Sequence, residues 1–209
     1  MQLLEQNTGI TQKLNKYGIH EPKLTKFLQK LVQPNWTCIN AGANLGYFTL
    51  LLSKLAYNGT VYSIEPHPNN YNILANNILI NDMSNVILDQ IALSNMNTET
   101  LFYQDIEDES RSSLINKKTR DCQPVSVKTQ TLTTYIQNHN ITNIDLIVMD
   151  VEGAELLILS EYFQIEPLVI PRYLIIEVHG NLDFTWLLKY YKLKDKLKPP
   201  HFLWEVRNA

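Results

Sequence analysis

The sequence predicts a three-layer α/β/α sandwich built on a doubly wound, mostly parallel sheet. Three observations carry that prediction. Residues 37–40, 47–55, 60–64, 69–80 and 86–88 read as strand, helix, strand, helix, strand, an alternation that implies right-handed crossovers and parallel pairing. The same rhythm resumes at 144–149, 154–161 and 173–178. Polar residues gather just after the strands, at one edge of the sheet, where open parallel sheets bind ligands.

Taken in order, the chain opens with a helical segment over 1–35, where Leu24, Phe27, Leu28 and Leu31 recur at helical spacing. Pro34 ends it. The strand 37–40 runs into a glycine loop, 41–46, and a helix from Tyr47. Asn58-Gly59 marks a turn before the strand 60–64. Residues 95–130 break the rhythm: 101–103 and 125–127 look like short strands, and the polar run between them reads as an excursion or flap at the sheet edge. Residues 132–138 and 182–191 are expected to be helical. Pro199-Pro200 is a break, and Tyr190-Tyr191-Lys192 with the lysines that follow read as a solvated face whose tyrosine side chains pack inward. Only 202–206 offers a strand after the fifth, so the sheet is expected to be abbreviated at the C-terminus.

Composition narrows the function classes. The 209 residues are 44 % apolar and 19 % charged, enough for one domain with a real core and unlike a disordered chain. The net charge of −3 argues against broad binding to nucleic acid or an anionic membrane surface. Cys38 and Cys122 are too few for a disulfide scaffold or zinc cluster. The N-terminus lacks the pattern of a secretory signal, and the apolar runs fall short of the roughly 20 residues of a membrane span. These features lead us to expect a cytoplasmic protein.

The strand ends supply the chemistry. Gly42 permits a tight turn and close ligand approach, and Gly46 opens a helix whose free N–H groups favour an anion. The run Gly-Ala-Asn-Leu-Gly lacks the middle glycine of a dinucleotide fingerprint, which argues against a nicotinamide-dependent oxidoreductase. Glu65, about 20 residues on, is placed to accept hydrogen bonds from ribose hydroxyls. Loop and acid together describe an adenosine ligand with a carboxylate tail, S-adenosylmethionine. Asp150, Glu152, Glu155, Glu177 and His179 form an acidic group around one histidine. His179 is the expected general base, with Asp150 second because neighbouring acids raise its pKa. A divalent cation held by the carboxylates is conceivable but not expected, and no metal ligand is assigned. Glu155 also suits a helix N-terminus, Glu152 can cap that helix, and His67 shapes a proline-flanked turn.

The motifs 40–49, 64–71, 92–94, 131–133, 149–155 and 176–180 resemble, in order, those of FkbM-type S-adenosylmethionine-dependent methyltransferases. The resemblance implies a Rossmann-like methyltransferase fold. It implies that Asn40, Gly42, Ala43, Asn44 and Gly46 hold the methionine portion and Glu65 the ribose. Asp89, Gln90 and Ile91 would border the adenine, Asp150 would face the sulfonium, and Glu21 would close over the methionine end. Ser112, Ser113 and Glu152 would meet the acceptor, expected to be a hydroxyl on a sugar, glycan or small natural product. No nucleic acid is expected as partner; a homo-oligomer is admissible. The sequence departs from the family at Asn40, where an Asp is usual. It departs also at Thr133, where a charge or cap at a helix start is lost. Asn40 and the short C-terminus keep a second reading open: a weakly active or inactive cofactor-binding homologue or accessory subunit.

Overall fold

The computed structural model describes residues 11, 14, 16–106, 111–115, 121–164, 166–180, 182–198 and 201–207. Helix α1 (Pro22–Leu31) begins with proline at its first turn, a position where the missing N–H costs nothing. Then follow β1 (Thr37–Ala41), α2 (Tyr47–Leu55), β2 (Thr60–Ile64), α3 (Pro68–Ile80), β3 (Val86–Asp89) and the two-residue β4 (Ala92–Leu93). Next come β5 (Thr98–Asp105), β6 (Cys122–Gln130), α4 (Leu132–Asn138), β7 (Leu146–Met149), α5 (Glu155–Gln164) and β8 (Tyr173–Glu177). The chain closes with a 3₁₀ turn (Thr185–Lys189), β9 (Tyr191–Lys198) and β10 (His201–Val206).

Seven strands form one sheet in the order β3-β2-β1-β7-β8-β10-β9. The first five are parallel, and β10 runs antiparallel to both β8 and β9. Strand alternation sorts side chains to two faces. Ile39, Ala41, Ile147, Met149, Leu174, Ile176 and Trp204 meet α4 and α5 through Tyr135, Ile136, Ile158, Leu159 and Tyr162. Their neighbours Cys38, Leu146, Val148, Tyr173, Ile175 and Leu203 meet Leu24 and Leu28 of α1 and Leu52 of α2. Burial on both faces explains why β7 and β8 read as nearly unbroken apolar runs. No helix among the described residues is long and apolar enough to cross a membrane.

Two expectations need correction. The sheet is not abbreviated: β9 supplies the missing strand. The run 191–198 alternates lysine with mostly apolar residues, and lysines on an outermost strand discourage pairing with other chains, so a strand reads locally as a solvated face. The helix expected over 182–191 shrinks to the five-residue 3₁₀ turn. The excursion stands outside the main sheet. It builds a second one, in the order β4-β6-β5, with β5 and β6 antiparallel over eight paired positions. Ala92, Phe102 and Val127 form its small core. Residues 107–110 and 116–120 of the expected flap, and Pro199-Pro200, lie outside the described residues.

Candidate active site

The strand order reverses between β1 and β7, and a cleft lies beyond their carboxyl ends. The chain leaves β1 at Gly42, whose φ is +79°; a Cβ there would stand 1.7 Å from the Asp150 carbonyl oxygen. Only glycine lets the two strand exits lie this close. The N–H groups of Gly42 and Ala43 both donate to the Ile64 carbonyl, at 3.0 and 2.9 Å, which fastens the loop over the end of β2.

Glu65 binds loop and strand into one unit. Its carboxylate accepts the N–H of Asn44 at 2.7 Å through Oε2 and that of His67 at 2.8 Å through Oε1. Burial pushes its pKa up to about 7, against the opposing hydrogen bonds from His67, Asn44 and Asn70. Asn40 is buried, and its Nδ2 donates to Thr49 Oγ1 at 2.9 Å; Thr49 and Ser63 share a hydroxyl hydrogen bond of 2.7 Å. His67 caps α3 by accepting the Asn70 N–H, as expected of a turn-shaping residue. The cap thought lost at α4 is present: Thr131 Oγ1 accepts the Thr134 N–H at 3.0 Å, so Thr133 is not the capping position.

Two cavities share the cleft. The smaller, about 50 Å³, is bounded by Glu65, Ala92, Leu93, Phe102, Ser112 and Val151 among others. The larger, about 330 Å³, includes Glu21, Asn40, Tyr47, Arg111, Glu177 and His201 in its wall. Gly42, Asn44, Asp150 and Glu152 line both.

The acid–histidine group contributes Asp150, Glu152 and Glu177 to the wall of the larger cavity. His179 Nδ1 lies 2.9 Å from Glu155 Oε1, while its Nε2 faces Glu152 Oε1 at 3.6 Å, Glu177 Oε1 at 3.7 Å and Asp150 Oδ1 at 3.8 Å. Burial opposes protonation of His179, but the Glu155 hydrogen bond and the charges of Asp150, Glu152 and Glu155 outweigh it and raise its pKa to about 9. Although 47 % of its side chain is exposed, Asp150 is held above the usual carboxylate range by the cleft walls, which limit its hydration, and by repulsion from Glu177; His179 opposes this. Burial raises Glu177 as well, yet its hydrogen bond from His201, 2.9 Å away, and the two histidine charges hold it below the usual range.

Of the residues singled out from sequence, Glu21, Asn40, Gly42, Ala43, Asn44, Glu65, Asp150, Glu152 and Ser112 line the cleft. His179 lines neither cavity, and its Nε2 lies 3.8 Å from Asp150 Oδ1. Asp89, Gln90 and Ile91 also line neither. Asp89 Oδ2 instead accepts the Tyr135 hydroxyl at 2.7 Å and lies 3.1 Å from His139 Nε2, and Ile91 packs in the core. Gly46 begins α2 with φ +93° and faces Leu74. Ser113 is buried; its hydroxyl donates to the Glu152 carbonyl at 2.9 Å and ties the small sheet to the loop after β7. Arg111, which precedes Ser112 in the stretch that could meet an acceptor, also lines the larger cavity; sequence reasoning missed Phe102 and His201, which arrive from β5 and β10. No periodicity near the glycine loop announces them.

Comparison with known proteins agrees with this geometry. The model of the methyltransferase FkbM domain matches residues 40–204. Over 70 residues the chain is 36 % identical to the tRNA(Phe) (4-demethylwyosine(37)-C(7)) aminocarboxypropyltransferase of Methanocaldococcus jannaschii, a stretch that covers 34 % of this chain and 27 % of that relative. The chain thus spans about a quarter of that relative's length. Two solved structures share the fold. One, from Staphylococcus aureus, is provisionally assigned as a caffeoyl-CoA O-methyltransferase (TM-score 0.58, 12 % identity, 97 % of this chain and 94 % of that one). The other is a SAM dependent methyltransferase from Aquifex aeolicus (TM-score 0.51, 14 % identity, 93 % and 91 %). The motif order, the glycine loop locked to Glu65 and the match over most of its length place the chain in the FkbM methyltransferase domain family.

Proposed function

We propose that the protein transfers the methyl group of S-adenosylmethionine to a hydroxyl on a sugar, glycan or small natural product. The observation that carries this reading is the union of the glycine loop with Glu65 through the 2.7 Å hydrogen bond from Asn44. A carboxylate so fixed retains lone pairs for the two ribose hydroxyls. Apolar Ala92, Leu93 and Phe102 beside it suit a purine ring. Asn40, Gly42, Ala43 and Asn44 line the larger cavity with Glu21, which suits the methionine end. The cofactor supplies a methyl on a sulfonium, so that as its S–C bond breaks a neutral thioether leaves and the acceptor gains the O–C bond.

The chain's own work is alignment and proton removal. Orientation of the acceptor can supply several kcal/mol. Geometry favours Asp150 as the proton acceptor, because it lines both cavities while His179 lines neither. His179 then acts on Asp150 as a charge partner. Ser112 and Glu152 border the space beside Asp150.

A second reading takes RNA as the acceptor, which the tRNA-acting relative favours. The net charge of −3 favours the small acceptor.

Calorimetric titration with S-adenosylmethionine and S-adenosylhomocysteine, with NAD as control, tests the cofactor. Micromolar binding of both, abolished in Glu65→Ala and absent for NAD, is the expected result; no binding of either overturns the reading. Methyl-labelled cofactor then reports transfer to hydroxylated small molecules or to RNA. Transfer to RNA alone would replace the first acceptor class with the second.

A further inference from the structure

Three side chains with metal-ligating atoms converge at the end of β7. Asp150 leaves that strand, Glu155 opens α5 and His179 follows β8. One ligand atom from each lies within 4.8 Å of the other two. Glu155 is the unusual member. It is fully buried; Oε1 accepts the Gly153 N–H at 3.0 Å and faces His179, but Oε2 has no hydrogen-bond partner. A buried carboxylate oxygen without a donor is costly, and such groups in native structures mark a ligand, an ion or a function. A helix start alone does not need it, because Oε1 already takes the loop N–H group.

The surroundings sharpen the chemistry. Glu152 and Glu177 each bring an oxygen within 3.7 Å of His179 Nε2. Four carboxylates therefore surround one imidazole, a set of oxygen ligands with a single nitrogen. Neither cysteine belongs to the group: Cys38 is buried in the core on β1, and Cys122 begins β6. Ligand atoms about 2.1 Å from an octahedral ion stand about 3 Å apart when adjacent and about 4.2 Å when opposite, so small side-chain shifts close the set.

From this convergence we infer that Asp150, Glu155 and His179 hold a divalent cation of the manganese or magnesium class, with Glu152 and Glu177 at its border. Carboxylates with a single imidazole suit a hard-to-borderline ion. Asp150 lines both cavities, so the ion touches the acceptor side of the cleft and polarises a hydroxyl there. That last role rests on the proposed methyl transfer; the binding does not.

The test uses the full chain without cofactor. Mn²⁺ is titrated while electron paramagnetic resonance follows the free ion, and calorimetry repeats the titration with Mn²⁺ and Mg²⁺. One Mn²⁺ per chain is expected, with Asp150→Asn and Glu155→Gln each weakening it at least tenfold. If Glu155→Gln fails to fold, Asp150→Asn decides, since that side chain is 47 % exposed and its loss leaves the core intact. No binding up to millimolar Mn²⁺, or binding unchanged in the folded variants, overturns the site. S-adenosylmethionine binding is measured on the same samples. Cofactor binding without Mn²⁺ binding overturns the metal site alone, and Mn²⁺ binding without cofactor binding overturns the cofactor reading alone.

Discussion

Glu65 links stability and binding in opposite directions. Its folded pKa of about 7 exceeds the ordinary 4.5 because burial disfavours the charge. A carboxyl raised on folding contributes fully below its unfolded value and loses that contribution as pH rises through its folded value. Between about pH 4 and pH 8 the protein is expected to lose up to about 3 kcal/mol from this group. Urea unfolding at several pH values measures it, and Glu65→Gln should flatten the profile. The ionised form is the better acceptor for ribose hydroxyls, so cofactor affinity should rise over the same window; an affinity that falls counts against Glu65 as the ribose ligand. Asn40 offers a second prediction. Its amide donates to Thr49 Oγ1, which shares a hydrogen bond with Ser63. In Asn40→Asp those hydroxyls can reverse, Ser63 donating to Thr49 and Thr49 to the new carboxylate. The added charge meets the cofactor's ammonium group, and affinity should rise about fivefold, roughly 1 kcal/mol. Calorimetry reads it directly; unchanged affinity would remove Asn40 from the ammonium site.

The elements differ in how openly the sequence declares them. β7 and β8 are short apolar runs closed by polar residues, and each is legible because burial on both faces demands that composition. The glycine loop is legible because its conformation excludes other residues at Gly42. β9 hides because lysines on an edge strand look the same as lysines on a solvated loop until pairing with β10 is known. The small sheet hides for a related reason: about half of β5 and β6 is exposed, and Phe102 and Val127, with Val125 packed against them, are the strands' contribution to its core. That sheet nevertheless carries part of the cleft wall, through Phe102. Phe102→Ala is therefore expected to destabilise the protein by about 3 kcal/mol, as for a buried aromatic, and to weaken adenosine binding beyond that of other cofactor fragments. Thermal unfolding gives the first quantity. Comparison of adenosine with methionine as competing ligands gives the second, and equal loss for both would detach Phe102 from the purine.

At the scale of the whole molecule, the C-terminal hairpin joins the core to the site. Trp204 and Leu203 of β10 point into opposite faces of the sheet, one into each apolar cluster. His201, at the start of the same strand, stands in the wall of the larger cavity and hydrogen-bonds Glu177. β10 also satisfies the outer edge of β8, whose Ile175 and Ile176 are fully buried. A chain cut after Tyr190 keeps every motif that resembles the family, from the glycine loop to His179, and on motifs alone should still bind the cofactor. The packing argues otherwise. The cut opens both clusters at once and turns β8 into an apolar edge strand, which pairs readily with other chains. It also leaves Glu177 without the His201 hydrogen bond that steadies its charge. The truncated chain should be insoluble or aggregate on concentration, whereas His201→Gln alone should stay folded and change only the cleft. Light scattering and thermal unfolding of the two variants separate these cases. A soluble, cooperatively unfolding truncation would mean that the first five strands suffice as a folding unit and that the hairpin serves the cleft rather than the core.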